Sequence, residues 1–205
     1  MSRVLVTGFE PFGGEPANPS YDAAVLVPGA TAVELPCVFA DALAALREAI
    51  ERHDPTLVLC TGQAGGRASI TVEKVAINLI EARIPDNAGA QPSGVPVVAG
   101  GPDAYLSTLP VKAMVRAVRA EGIPAAVSYT AGTFVCNQVA YGLAHLIATE
   151  RPDLRGGFVH VPYAPHQVTA ADRPSMETTT VARALTAMVK ASDSVEDHLP
   201  EGTIQ

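Results

Sequence analysis

Short, nearly continuous apolar runs alternate along this chain with longer stretches of helical spacing, and that alternation limits its folds more than any other feature. Arg3-Val4-Leu5-Val6-Thr7-Gly8 and Leu57-Val58-Leu59-Cys60 read as strands buried on both faces. Further strands are expected at 32–39, 69–80, 125–130 and 157–162. The fourth of these six, at 69–80, changes phase near Glu73 and Lys74, which suggests a bend or bulge. Helices are expected over 21–27 with Ser20 as N-cap, and over 41–52 with Leu43, Leu46 and Ile50 on one face. Others fall at 110–121, with Val111, Met114, Val115 and Val118 aligned, at 135–149, with Val135, Val139, Leu143, Leu146 and Ile147 aligned, and at 175–190. Strand and helix in alternation imply an α/β fold: a single-domain α/β/α sandwich with a largely parallel, twisted central sheet. Residues 1–191 form that domain in this reading, and the polar, acidic tail 192–205 is expected to fray. Residues 84–102, rich in Pro, Gly, Asn and Asp, read as one long loop.

Composition removes several functions. With 14 Lys+Arg against 21 Asp+Glu among 205 residues, the net charge of −7 gives no basic footprint for nucleic acid. No stretch approaches the ~18 apolar residues of a membrane span, and the first residues carry too short an apolar run for a secretory leader. Three cysteines are too few for a disulfide framework and lack metal-type spacing. A cytoplasmic protein without metal or cofactor is the expectation. Gly8 to Gly14 imitates a phosphate-binding loop, but Gly14 stands where its lysine belongs.

Ligands of parallel sheets bind where the strands end at their carboxyl termini. The loops expected there are 9–14, 62–68, 131–136 and 162–168, and they hold much of the glycine, proline and loop aromatic content. In Tyr129-Thr130-Ala131-Gly132-Thr133-Phe134-Val135-Cys136-Asn137 a strand ends, a glycine turns the chain and a helix begins at about Cys136. A thiol at a helix N-terminus meets unpaired N–H groups and the positive end of the dipole, which favour thiolate and can hold an oxyanion. The competing reading is a small buried residue, and that reading is kept for Cys37 and Cys60, which sit in apolar strands. His160 ends the strand that follows the Cys136 helix, so a right-handed crossover is expected to bring both to one edge. Glu10, Glu73, Glu81 and Asp86 all stand in plausible places for an acid partner; Glu73 interrupts an apolar strand, where a buried acid needs a partner. Phe9, Phe12 and Phe134 suggest either packing or an aromatic pocket.

Five segments together resemble the pyroglutamyl peptidase type I (pyrrolidone-carboxylate peptidase) family of cysteine peptidases. They are Thr7-Gly8-Phe9-Glu10-Pro11-Phe12-Gly13-Gly14, Gly62-Gln63-Ala64-Gly65-Gly66-Arg67, Val75-Ala76-Ile77-Asn78-Leu79 with Ala82-Arg83-Ile84-Pro85-Asp86-Asn87, Ser128 to Asn137, and Gly156 to Tyr163. The resemblance runs from about residue 3 to about residue 165. It implies a nucleophile at Cys136, a histidine at His160 and an acid at Glu73, and a substrate pocket at Phe9, Phe12, Gln63, Ile84, Phe134 and Val135. Val72 and Lys74 beside Glu73 depart from the family's usual Pro and Arg, and the stretch before residue 40 is short. The implied activity is removal of N-terminal pyroglutamyl residues from peptides through a thioester, with no cofactor, in a homotetramer. The alternative from the residues alone is a thiol-dependent amidohydrolase acting on another cyclic or N-acyl amide.

Overall fold

Strand β1 (Val4–Phe9) is buried at all of its positions, because it has a strand on either side and a helical layer on each face. In the computed structural model, which describes residues 3–168, 173–196, 198 and 200–202, the chain continues through α1 (Pro19–Ala24), β2 (Ala30–Leu35), α2 (Ala42–His53), β3 (Leu57–Gln63), β4 (Ile70–Glu73), β5 (Val75–Ile77), β6 (Ile80–Glu81), β7 (Ser93–Val95) and β8 (Ala104–Leu106). It ends with α3 (Val111–Ala120), β9 (Ala125–Ser128), α4 (Val135–Thr149), β10 (Arg155–Val161) and α5 (Thr178–Ala191). The central sheet has the order β2-β1-β3-β10-β4-β9. Alternate side chains of β1 and β3 divide between two cores. Val4, Val6, Leu57 and Leu59 pack with residues of α1, α3 and α5, whereas Leu5, Val58 and Cys60 pack with residues of α2 and α4. The expected α/β/α sandwich is thus formed. Each fully buried Leu or Val contributes roughly 1.5–3 kcal/mol.

The sheet is parallel across β2, β1, β3 and β10, but β4 pairs antiparallel with β10, and β9 follows β4. The strand before Cys136 therefore runs against the strand that carries His160, and the crossover expected between parallel strands is absent. Helix α4 instead packs on β10 and β3 and delivers Cys136 to the edge from its own face of the sheet.

Other local expectations change for chemical reasons. Asn18, not Ser20, caps α1: its side chain accepts from Ser20 N–H at 3.1 Å, with Pro19 opening the helix. Ser20 Oγ is used elsewhere, accepting from Phe9 N–H at 3.1 Å. The phase change at Glu73 and Lys74 is a change of sheet, since β4 belongs to the central sheet and β5 pairs with β8. The long loop at 84–102 contains β7, which pairs with β6. Among the described residues of the tail, Glu196 Oε1 accepts from Lys112 N–H at 3.0 Å at the start of α3, and Glu201 pairs with Arg119 at 2.7 Å; residues 197, 199 and 203–205, on which the expectation of fraying also falls, lie outside the described residues. A carboxylate at a helix N-terminus is a favourable placement. No helix among the described residues is long and apolar enough to cross a membrane.

The end of β1 is fixed by a backbone-to-backbone contact. A Cβ on Gly8 would stand 2.2 Å from Tyr21 N and 2.3 Å from its Cα, and neither atom can move without shifting α1. Gly8→Ala should therefore destabilise the chain by about 3 kcal/mol or more, read as a lower urea midpoint; an unchanged midpoint would mean α1 yields freely.

Candidate active site

Cys136 is the second residue of α4, whose N-cap is Phe134 and which no side chain caps. Its first N–H groups are therefore not taken by a capping group. The sulfur lies over β3: a Cβ on Gly62 would come 2.8 Å from Cys136 Sγ and 2.9 Å from the Phe158 ring. Gly62 is matched with His160 in the parallel register, and adjacent strands are about 4.8 Å apart. A missing side chain on β3 thus makes room for the thiol next to the imidazole.

His160 is 4% exposed and Glu73 is 3% exposed. The antiparallel pairing matches His160 with Thr71, so Glu73, two residues along β4, projects from the same face. His160 Nδ1 donates to Glu73 Oε1 at 2.8 Å. This leaves Nε2 as the nitrogen available for proton transfer. Glu73 Oε1 also accepts from Arg67 at 2.8 Å.

Burial acts on both ionisable partners. It pushes the Cys136 thiol above its ordinary range, with Cys37 and Glu73 adding to the effect; Arg67 and the residue's own backbone N–H pull the other way. The positive end of the helix dipole and the push of burial thus oppose each other at this sulfur. Burial likewise draws the His160 imidazole below its ordinary 6.5, against the pull of Glu73. Cys37 and Cys60 are pushed up to about 12, both chiefly by burial, which suits core thiols.

The rival acids have other work. Asp86 accepts from the N–H groups of Phe39, Ala88 and Ala90 at 2.8–3.0 Å, and Glu10 accepts from Cys37 N–H and Asn87 Nδ2. Both carboxylates clamp loops. Glu81 is exposed and accepts from Ser93 Oγ and Gly94 N–H.

The expected pocket residues separate into four settings. Phe12 and Phe134 lie 6.3 Å apart between ring centroids. Phe39, which the sequence did not single out, meets Phe134 edge-on at 5.1 Å. Phe9 and Val135 are enclosed in the core on the α4 face, with Phe9 against Phe158 at 6.4 Å. Ile84 is 38% exposed. Gln63 is buried, and its Oε1 accepts from Gln167 Nε2 at 2.9 Å, so its own NH2 group is the part left to recognise an acceptor.

Two further residues escape sequence reading. Asn137 accepts from Ile77 N–H and donates to the carbonyls of Ile77 and Leu79 at 2.9–3.1 Å, tying the start of α4 to β5. Gly62 has no chemical group to attract notice; expected to open the 62–68 loop, it lies instead within β3, level with His160.

A sulfur nucleophile with a base to take its proton and an acid to hold the base is the chemistry of the cysteine-type hydrolases, and this chain is one of them. It belongs to the pyroglutamyl peptidase family, whose model matches residues 2–194. It is 61% identical to the pyrrolidone-carboxylate peptidase of Streptomyces coelicolor over 199 residues, covering 94% of this chain and 92% of that one. Identity with the enzyme of the same name from Bacillus subtilis is 50% over 211 residues, covering 98% of each. Among solved structures, pyroglutamyl peptidase I from Bacillus amyloliquefaciens superposes with a TM-score of 0.91 at 48% identity, covering 97% of this chain and all of that one (100%). The pyrrolidone carboxyl peptidase from Thermococcus litoralis also gives 0.91, at 37% identity, with 98% and 100% covered.

Gly62→Ala should leave the chain folded while displacing the thiol. A shift near 1 Å corresponds to about a 10²-fold fall in kcat/KM, with slower alkylation of Cys136 by iodoacetamide. An unchanged alkylation rate would show that Gly62 does not seat the sulfur.

Proposed function

We propose that Cys136, His160 and Glu73 carry out the reaction of this family, removal of an N-terminal pyroglutamyl residue from a peptide. The observation that carries the assignment is the placement of Cys136 Sγ over Gly62, in register with an imidazole that is bonded to Glu73. Cys136 Sγ attacks the pyroglutamyl carbonyl carbon as the thiol proton passes to His160 Nε2. The uncapped N–H groups at the start of α4 hold the oxyanion. His160 then gives its proton to the departing amine, leaving a thioester, and takes one from the water that hydrolyses it. Glu73 keeps Nδ1 protonated and the ring oriented. Burial favours the neutral thiol and the neutral imidazole, directions that suit His160 as a general base.

The ring cluster of Phe12, Phe39 and Phe134 suits a neutral lactam, with Ile84 at its exposed side, Phe9 and Val135 backing it from the core rather than touching the substrate, and the Gln63 amide facing the lactam oxygen. An unmodified N-terminal Glu or Gln would carry an ammonium into this setting at a cost of several kcal/mol, which supplies selectivity by exclusion. Residues 1–191 act as one catalytic domain, and beyond it Glu196 and Glu201 are bonded to α3. The three free cysteines suit a reducing cytoplasm.

Cys136→Ala should reduce release of a fluorescent amine from a pyroglutamyl amide by about 10⁴-fold or more with an unchanged fold. In the parent chain kcat/KM should fall on the acid side with a midpoint below 6.5, since the base must be neutral and burial lowers its pKa. Retained turnover in the alanine variant would remove the assignment. The chain should also assemble as a homotetramer. Exposed Val25, Leu26 and Leu106 (51%, 48% and 64%) are apolar surface suited to an interface, and light scattering of a single monomeric species would refute the assembly.

A further inference from the structure

Arg67 is joined to the site at four points. Its Nη1 donates to Glu73 Oε1 at 2.8 Å and to Thr71 Oγ1, with Ser128 Oγ in longer contact at 3.5 Å, and its Nη2 donates to the Thr130 carbonyl at 3.2 Å. It reaches from the loop after β3 across β4 to β9 and the segment leading to Cys136. The oxygen it holds is the one that accepts from His160, while Glu73 Oε2 is buried with no hydrogen-bond partner among the described residues.

That sharing has a chemical meaning. A buried carboxylate alone beside an imidazole and a thiol favours the protonated form of both: it attracts imidazolium and repels thiolate. Such a carboxylate would orient the base but hold on to its proton. A cation on the same oxygen cancels the charge and leaves the hydrogen bond in place. The charged and titratable groups around the pair are few. They are Glu73 on β4, His160 on β10, Cys136 on α4, Cys37 from the segment after β2, and Arg67. Lys74, next to Glu73, lies 3.8 Å from Glu196 instead.

We propose, building on the catalytic assignment above, that Arg67 is a charge-balancing positioning residue: it neutralises Glu73 so that the carboxylate aligns His160 without retaining the proton that Cys136 must deliver and the leaving amine must receive. The directions at both partners agree, since Arg67 lowers the thiol and the imidazole alike while Glu73 raises them.

The test is a charge cycle read by the pH dependence of Cys136 alkylation with iodoacetamide, which needs no turnover. Arg67→Gln should move the midpoint up by about one pH unit and Glu73→Gln should move it down by about as much. The double variant should return to the parent value. In Arg67→Gln, both limbs of kcat/KM should move up together, and Arg67→Lys should restore their positions even where the rate falls. Should Arg67→Gln fail to fold, the comparison of Glu73→Gln with the double variant decides, because neither leaves an unpaired carboxylate. Slower alkylation with unmoved midpoints across the cycle would overturn the proposal and leave Arg67 a scaffold residue. Failure of the catalytic assignment looks different: the parent chain would keep its pyroglutamyl activity after Cys136 is fully alkylated.

Discussion

A carboxylate removed from water must find compensation or lose its charge, and Glu73 stands at the point where this chain meets that demand. It is almost wholly buried, and one of its oxygens receives both the His160 imidazole and the Arg67 guanidinium. Three separate parts of the fold are drawn together by that single atom: the end of β10, the loop after β3 and, through Thr130, the approach to α4. The antiparallel register sets Thr71 of β4 opposite His160, and Glu73, two residues further along β4, projects from the same face of the sheet.

Legibility from sequence followed the range of the interactions. The buried strands were readable because Val4 to Val6 and Leu57 to Cys60 show apolar faces on both sides, a local property. The helix holding Cys136 was placed at its observed ends, 135 and 149, because its apolar spacing and the preceding Gly132 are local as well. The direction of β4 and β9 was not readable, since it depends on pairings between residues nearly ninety positions apart in one case, as in Val159 with Val72. The cap of α1 was misplaced by two residues: Asn18 and Ser20 are both good caps, and the choice depends on Ser20 being engaged by Phe9.

The site divides in the same way. The thiol and the imidazole could be singled out because their chemistry is rare and they end or begin elements. Among four candidate acids, the spacing could not separate Glu73 from Asp86 and Glu10, which are also well satisfied; what distinguishes them is the partner, an imidazole in one case and main-chain or amide N–H groups in the others. Phe39 and Gln167 gave no signal, because an aromatic after a strand and a glutamine in a proline-containing turn are ordinary until Phe134 and Gln63 are seen beside them.

Asn137 has a consequence that reaches beyond holding a helix. Its amide grips both peptide groups of Ile77 and the carbonyl of Leu79, one residue after the sulfur. The two-stranded ribbon of β5 and β8 is thereby joined to the start of α4 by three hydrogen bonds. Its far end carries Leu106, an apolar side chain turned to solvent. The residue after the nucleophile is thus anchored to a ribbon outside the central sheet, while the sulfur itself lies over β3.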